Sequence, residues 1–175
     1  METNNIESIT NLKNLLDSDT RKFTSSEIQL KNRLPHWISN AGSLKLKTVL
    51  QKYYDFILEH LQKLEEIFKV EKINSMTLTN HVMEALIKEV DEKLSNCTDA
   101  EIKDACLLSC IQTINHFKIS TYGTAAAFAM ALNKEKQALI FHEAEVNEKQ
   151  IDDRLSQLAE YEINIKAKAP ISLHE

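Results

Sequence analysis

The chain has 175 residues, a formal net charge of −5 and a sequence pI near 5.7, an acidic balance that speaks against a nucleic-acid partner, since phosphate binding needs a basic face. Hydrophobic residues make up 43% and charged residues 27%, the balance of a soluble domain with a sizeable core, and no apolar run approaches the ~20 residues of a membrane span. Two Gly and two Pro leave few turns, which favours long helices over a many-stranded sheet.

The opening "METNNIESIT" lacks the basic flank and apolar stretch of a signal peptide, so residues 1–8 are read as a tail and the protein as cytoplasmic. A first helix is expected from about Ile9 to Asn40, with Leu12, Leu16, Phe23, Leu30, Leu34 and Trp37 at helical spacing and Pro35 kinking or breaking it. After "NAGS", Ser43 caps a second helix, Leu44 to about Lys69, whose inward positions include Tyr53, Phe56, Ile57, His60 and Leu64. A shorter helix, about Asn80 to Leu94, carries Thr79 as its cap. "TDAE" at 98–101 reads as a capping box, Thr98 with Glu101, opening a third long helix to about Leu132. A fourth runs from about Lys134 to Ile165, and residues 166–175 form a mobile tail.

Each pair of long helices is joined by a few residues and so forms an antiparallel hairpin. The shorter helix lies in the connection between the hairpins. The expected fold is all-α: a ferritin-like four-helix bundle of two antiparallel hairpins with an additional shorter helix, one domain over residues 9–165.

The third long helix carries an anomaly. Steps of three and four from Ile111 reach Asn115, Lys118 and Tyr122, so an amide and an ammonium fall on the stripe the helix buries. A carboxylate-bridged di-iron bundle would place Glu on two helices and Glu-x-x-His on the other two. None of the six His has a Glu three residues before it. The reverse spacing, at His81/Glu84 and His142/Glu145, is read as solvated helix face. Cys106 and Cys110 share a helix face with no second pair to complete a zinc set, and read as small buried side chains. Trp37 beside His36 and the pair Tyr53/Tyr54 read as packing, and no nucleophile or phosphate-loop motif occurs.

The segments "SSEIQLKNRLP", "LQKLEEIF", "EIKDACL", "INHFKISTYGTAAAFA" and "EKQIDDRLSQLAE" together resemble the bacterial YciE/YciF-like proteins of the ferritin superfamily over roughly residues 8–162. The resemblance implies a ferritin-like bundle, often dimeric, tied to stress responses. Carried over residue by residue, it keeps the first-helix Glu at Glu27. It turns a second-helix His into Tyr53 and a Glu into Phe56, and two third-helix Glu into Asn115 and Lys118. His116 is kept beside them. On the fourth helix one Glu becomes Asn147, while Glu148 and Asp152 remain. Tyr53, Phe56, Asn115, Lys118 and Asn147 with Glu27 are then vestigial metal-site positions, and Lys118 is expected to take the metal's electrostatic place against Glu27.

The function expected on this basis is non-catalytic: a stress-associated, ferritin-like protein that has lost most di-iron ligands, binds no cofactor and acts as a homodimer or through a protein partner. The alternative is an atypical iron or manganese protein with oxidase or peroxide-detoxifying activity, its metal held by Glu27, His116, Glu148 and Asp152.

Overall fold

The computed structural model describes residues 8–73 and 78–168. The expected tails therefore lie mostly outside the described residues. Four long helices carry the fold: α1 (Leu12–Asn40), α2 (Leu44–Glu71), α4 (Ala100–Ala131) and α5 (Glu135–Leu158), with the shorter α3 (His81–Ser95) between α2 and α4. Among the described residues there is no strand.

Local chemistry sets the boundaries. Asn11 caps α1 by accepting from the Asn14 N–H, and Ser43 caps α2 by accepting from the Leu46 N–H. The cap of α3 is Asn80, one residue beyond the expected Thr79. The cap of α4 is Asp99 rather than Thr98, its carboxylate accepting the Ile102 N–H at 2.8 Å. Both corrections have one cause: at each N-terminus two adjacent residues are chemically able to cap, and sequence alone does not say which backbone turns extended. Pro35 neither ends nor divides α1, which continues to Asn40. The fourth long helix persists through a π-helical turn (Ala159–Ile163) into the short α6 (Asn164–Ala167), close to the expected end.

Tertiary contacts fix the directions. Asp104, near the start of α4, meets the turn after α1, and Tyr122, further along, packs on Phe23 at 5.3 Å between ring centroids. So α1 and α4 run antiparallel. Lys45 pairs with Glu162 and Glu71 with Lys134, so α2 and α5 are antiparallel too. It follows that α2 and α4 run parallel, and the chain must travel back along the bundle between them. Helix α3 makes that return. The Asn80 N–H donates to the Ser25 hydroxyl near the middle of α1, and Asp91 accepts from Arg33 Nε (3.0 Å) and Trp37 Nε1 (2.9 Å) near the end of α1. Two hairpins joined by one long crossover are the ferritin-like topology.

The core is not continuous. One apolar cluster is built from Leu30, Leu34, Trp37, Leu46, Leu50, Ile111, Ile114, Ile151 and Leu155, among others. The second holds Leu16, Phe23, Leu64, Ile67, Ala125, Ala129, Phe141 and Ala144. Between them the bundle buries a belt of polar and charged groups.

Candidate functional site

Each long helix sends side chains to this belt from the face it buries. Helix α1 supplies Glu27, α2 supplies Tyr53 and His60, α4 supplies Asn115, Lys118 and Tyr122, and α5 supplies Glu148. Glu27, Asn115 and Glu148 are fully buried, Lys118 is 2% exposed and His60 3%. Charges are almost never buried this completely unless paired.

The pairing is dense. Lys118 Nζ lies 3.0 Å from Glu27 Oε2, contacts Glu148 Oε1, and donates to the Tyr53 hydroxyl at 3.4 Å. The ammonium also sits 4.9 Å from the Tyr53 ring centroid, a cation–π contact. Glu27 Oε1 accepts from the Tyr122 hydroxyl and lies 3.1 Å from His60 Nδ1. Asn115 Nδ2 donates to Glu148 Oε2 at 2.5 Å. Asn147, at the edge of the belt, places Nδ2 3.3 Å from His60 Nε2. With that amide orientation Nε2 accepts, and Nδ1–H is the donor to Glu27. Phe56 stacks parallel to the His60 ring and Tyr122 meets it edge-on.

The two carboxylates respond differently to one shared ammonium. Burial pushes Glu27 up, but Lys118, His60 and Tyr122 together outweigh it and hold the carboxyl at about 2. Burial also pushes Glu148 up, and there it prevails, because Glu148 has fewer donors and the Glu27 charge nearby. Burial favours loss of the Lys118 proton, yet the two carboxylates reverse this and raise its pKa. Lys118 is therefore a full cation at neutral pH. Burial and the carboxylates keep Tyr53 and Tyr122 protonated.

The sequence-derived candidates divide in two. Glu27, Tyr53, Asn115, Lys118 and Glu148 converge on the axis, with Phe56 and Asn147 at its margin. His116 and Asp152 do not: His116 Nε2 pairs with Asp152 Oδ2 at 3.1 Å on the outer surface, with the His116 side chain 67% exposed. One helical position is a rotation of about 100°, so with Asn115 facing the axis, His116 cannot. The imidazole that does reach the belt is His60, which sequence reasoning placed on the inward stripe of α2 but not in the site.

Among the described residues one group could bring three ligand atoms to a metal ion: Glu27, His60 and Glu148, with those atoms all within 4.8 Å of one another. Two carboxylates and one imidazole fall well short of the four carboxylates and two imidazoles of a bridged di-iron bundle. The Lys118 ammonium lies against both carboxylates, where it has no lone pair to offer a metal. The residues present do not fit a dinuclear carboxylate-bridged centre.

The family model described as a domain of unknown function, DUF892, matches residues 11–168. Protein YciF of Escherichia coli strain K12 is 29% identical over 147 residues, covering 82% of this chain and 87% of that protein. The crystal structure of the E. coli stress protein YciF superposes with a TM-score of 0.83 at 24% identity, covering 92% of this chain and all of the other. The structure of YcfI from Rhodopseudomonas palustris also gives 0.83 at 24% identity, over 86% of this chain and 96% of its own.

Proposed function

The chain belongs to the DUF892 family of YciF-like, ferritin-like proteins, and from that premise we propose that it is a non-catalytic, stress-associated member. In this reading it has lost most di-iron ligands and acts in the cytoplasm through self-association as a homodimer or through a protein partner. One observation carries the reading: the Lys118 ammonium, 2% exposed, sits against both axial carboxylates. A fixed cation balances charge that a metal would otherwise balance, and it needs no cofactor. Tyr53 and Asn115 complete the neutral surroundings. The stress association rests on likeness to YciF, which is described as a stress protein. Among the described residues no helix is long and apolar enough to cross a membrane.

The direct test is elemental analysis of protein purified without chelator, together with sedimentation at micromolar concentration. The reading expects less than a tenth of an equivalent of iron, manganese or zinc, about the floor set by adventitious ions, and a dimer. Stoichiometric metal that disappears on His60→Ala would replace it with the alternative, an atypical iron or manganese protein with oxidase or peroxide-detoxifying activity. The grouping of Glu27, His60 and Glu148 is the observation that favours that alternative.

A further inference from the structure

We propose that the belt retains a latent mononuclear site for a divalent cation, formed by Glu27, His60 and Glu148 and closed by the Lys118 ammonium. The inference rests on the reading above that the natural protein is metal-free, and goes beyond it by assigning Lys118 as the one group that keeps metal out.

Ligand spacing is the first argument. His60 Nδ1 lies 3.1 Å from Glu27 Oε1 and 3.7 Å from Glu148 Oε1. Ligands about 2.1 Å from a tetrahedral metal ion are separated by about 3.4 Å, and the two observed separations bracket that value. The set of two carboxylates and one imidazole suits Zn(II), Mn(II), Fe(II) or Co(II) and leaves a coordination position open.

The outer shell is already built. Metal-ligating side chains are held by second partners that fix their orientation. Here Tyr122 holds Glu27, Asn115 holds Glu148 and Asn147 holds His60. Metal on Nδ1 requires Nε2 to donate, which Asn147 accommodates by turning its amide so that Oδ1 accepts in the same place.

Charge and access complete the case. With a neutral imidazole, two carboxylates and one ammonium sum to −1, and exchanging the ammonium for a divalent cation brings the belt to zero. Metal and ammonium cannot share it, because like charges a few ångströms apart at low dielectric repel strongly. A cavity of about 10 Å³ between α2 and α5 reaches His60, Asn147 and Tyr122 and is lined towards the outside by Glu59 and Glu143. It admits a particle of about the size of a water molecule, and its charged lining, Glu59 and Glu143 with Lys63, is acidic by one net charge.

The experiment titrates Co(II) into wild-type, Lys118→Met and Lys118→Met/His60→Ala proteins, reading visible absorption and melting temperature. Lys118→Met should bind one Co(II) at least about a hundredfold more tightly than wild type, and Co(II) should raise its melting temperature. Adding His60→Ala should abolish both effects. If Lys118→Met does not fold alone, Co(II) should fold it, and Lys118→Gln supplies a second neutral variant for the same titration. The proposal is overturned if neither variant binds Co(II) more tightly than wild type, or if binding survives loss of His60. Stoichiometric binding by wild type would instead overturn the metal-free reading along with the blocking role of Lys118, so the two failures are distinguishable.

Discussion

Removing the Lys118 charge should produce the largest loss of stability of any single substitution in the belt. Lys118→Met leaves Glu27 and Glu148 facing each other with no cation between them. Breaking a buried pair in this way costs about 3–5 kcal/mol. Glu27→Gln should cost less, about 1–3 kcal/mol, because Lys118 keeps Glu148 and only one charge-assisted set of bonds is lost. Glu27→Gln/Glu148→Gln strands the ammonium and should cost at least as much as Lys118→Met. The variant with all three changes buries no unpaired charge, and should be more stable than the sum of these losses predicts by more than about 2 kcal/mol. Urea unfolding followed by helical circular dichroism measures each difference. Additive losses, or a Lys118→Met loss under about 1 kcal/mol, would show that the ammonium is not held as described.

Acid and base should act on different partners. Glu27 is depressed, so its stabilisation is complete above pH 4.5 and is lost as pH falls towards 2, and Glu27→Gln should flatten stability across that window. Glu148 is raised and works in the opposite sense, so Glu148→Gln should steepen the acid loss. Lys118 is raised, so its stabilisation is complete below pH 10.5 and is lost as pH rises through its higher folded value, a loss that Lys118→Met should not show. Asp104 accepts the Gly42 and Ser43 N–H groups, each at 2.7 Å, at the α1–α2 turn, and Asp104→Ala should cost about 1–3 kcal/mol in urea unfolding. Burial and the neighbouring Cys110 and Cys97 thiols push Cys106 up to about 12, so at pH 8 it should react with iodoacetamide more slowly than a free thiol, as mass spectrometry of the alkylated peptide would record.

Helical periodicity carried most of the architecture. Four long stripes and two short connections are enough to fix the hairpins, and the anomaly at Asn115 and Lys118 is visible as two polar residues on a buried face. That same periodicity should have removed His116 and Asp152, since Asn115 and Ile151 point inward and each rejected residue is one position away. A family resemblance matches residue types along the chain and is blind to the helix face on which each falls. His60 was legible as an inward position of α2, but nothing along α2 tells that it lies at the level of Glu27, because level is set by how far one helix slides along another. The contact of Glu148 with Lys118 is hidden for the same reason: the two are joined through the α4–α5 turn, whose length decides which residues meet. The buried Ser18, Thr20, Ser25 and Ser26 of α1 were not foreseen either. Small hydroxyl side chains can return their bonds to the helix's own carbonyls, as Thr20 and Ser26 do, and then pack like apolar residues.

The dependence on sliding gives the belt a structural meaning apart from any ligand. Apolar layers discriminate register less sharply than a charged one, because the hydrophobic effect is non-directional. Moving α4 by one turn shifts Lys118 by about 5.4 Å, which takes the ammonium away from Glu27 on α1 and Glu148 on α5 together and leaves three buried charges without their ion-pair partners. The penalty for the wrong register is then several kcal/mol, comparable to the whole stability of a domain of this size. Tyr122, one turn further along α4, would leave Glu27 in the same movement. Two apolar clusters with a single charged belt between them thus align four helices at one level, and that level is where Glu27, His60, Lys118 and Glu148 must meet for the site to exist at all.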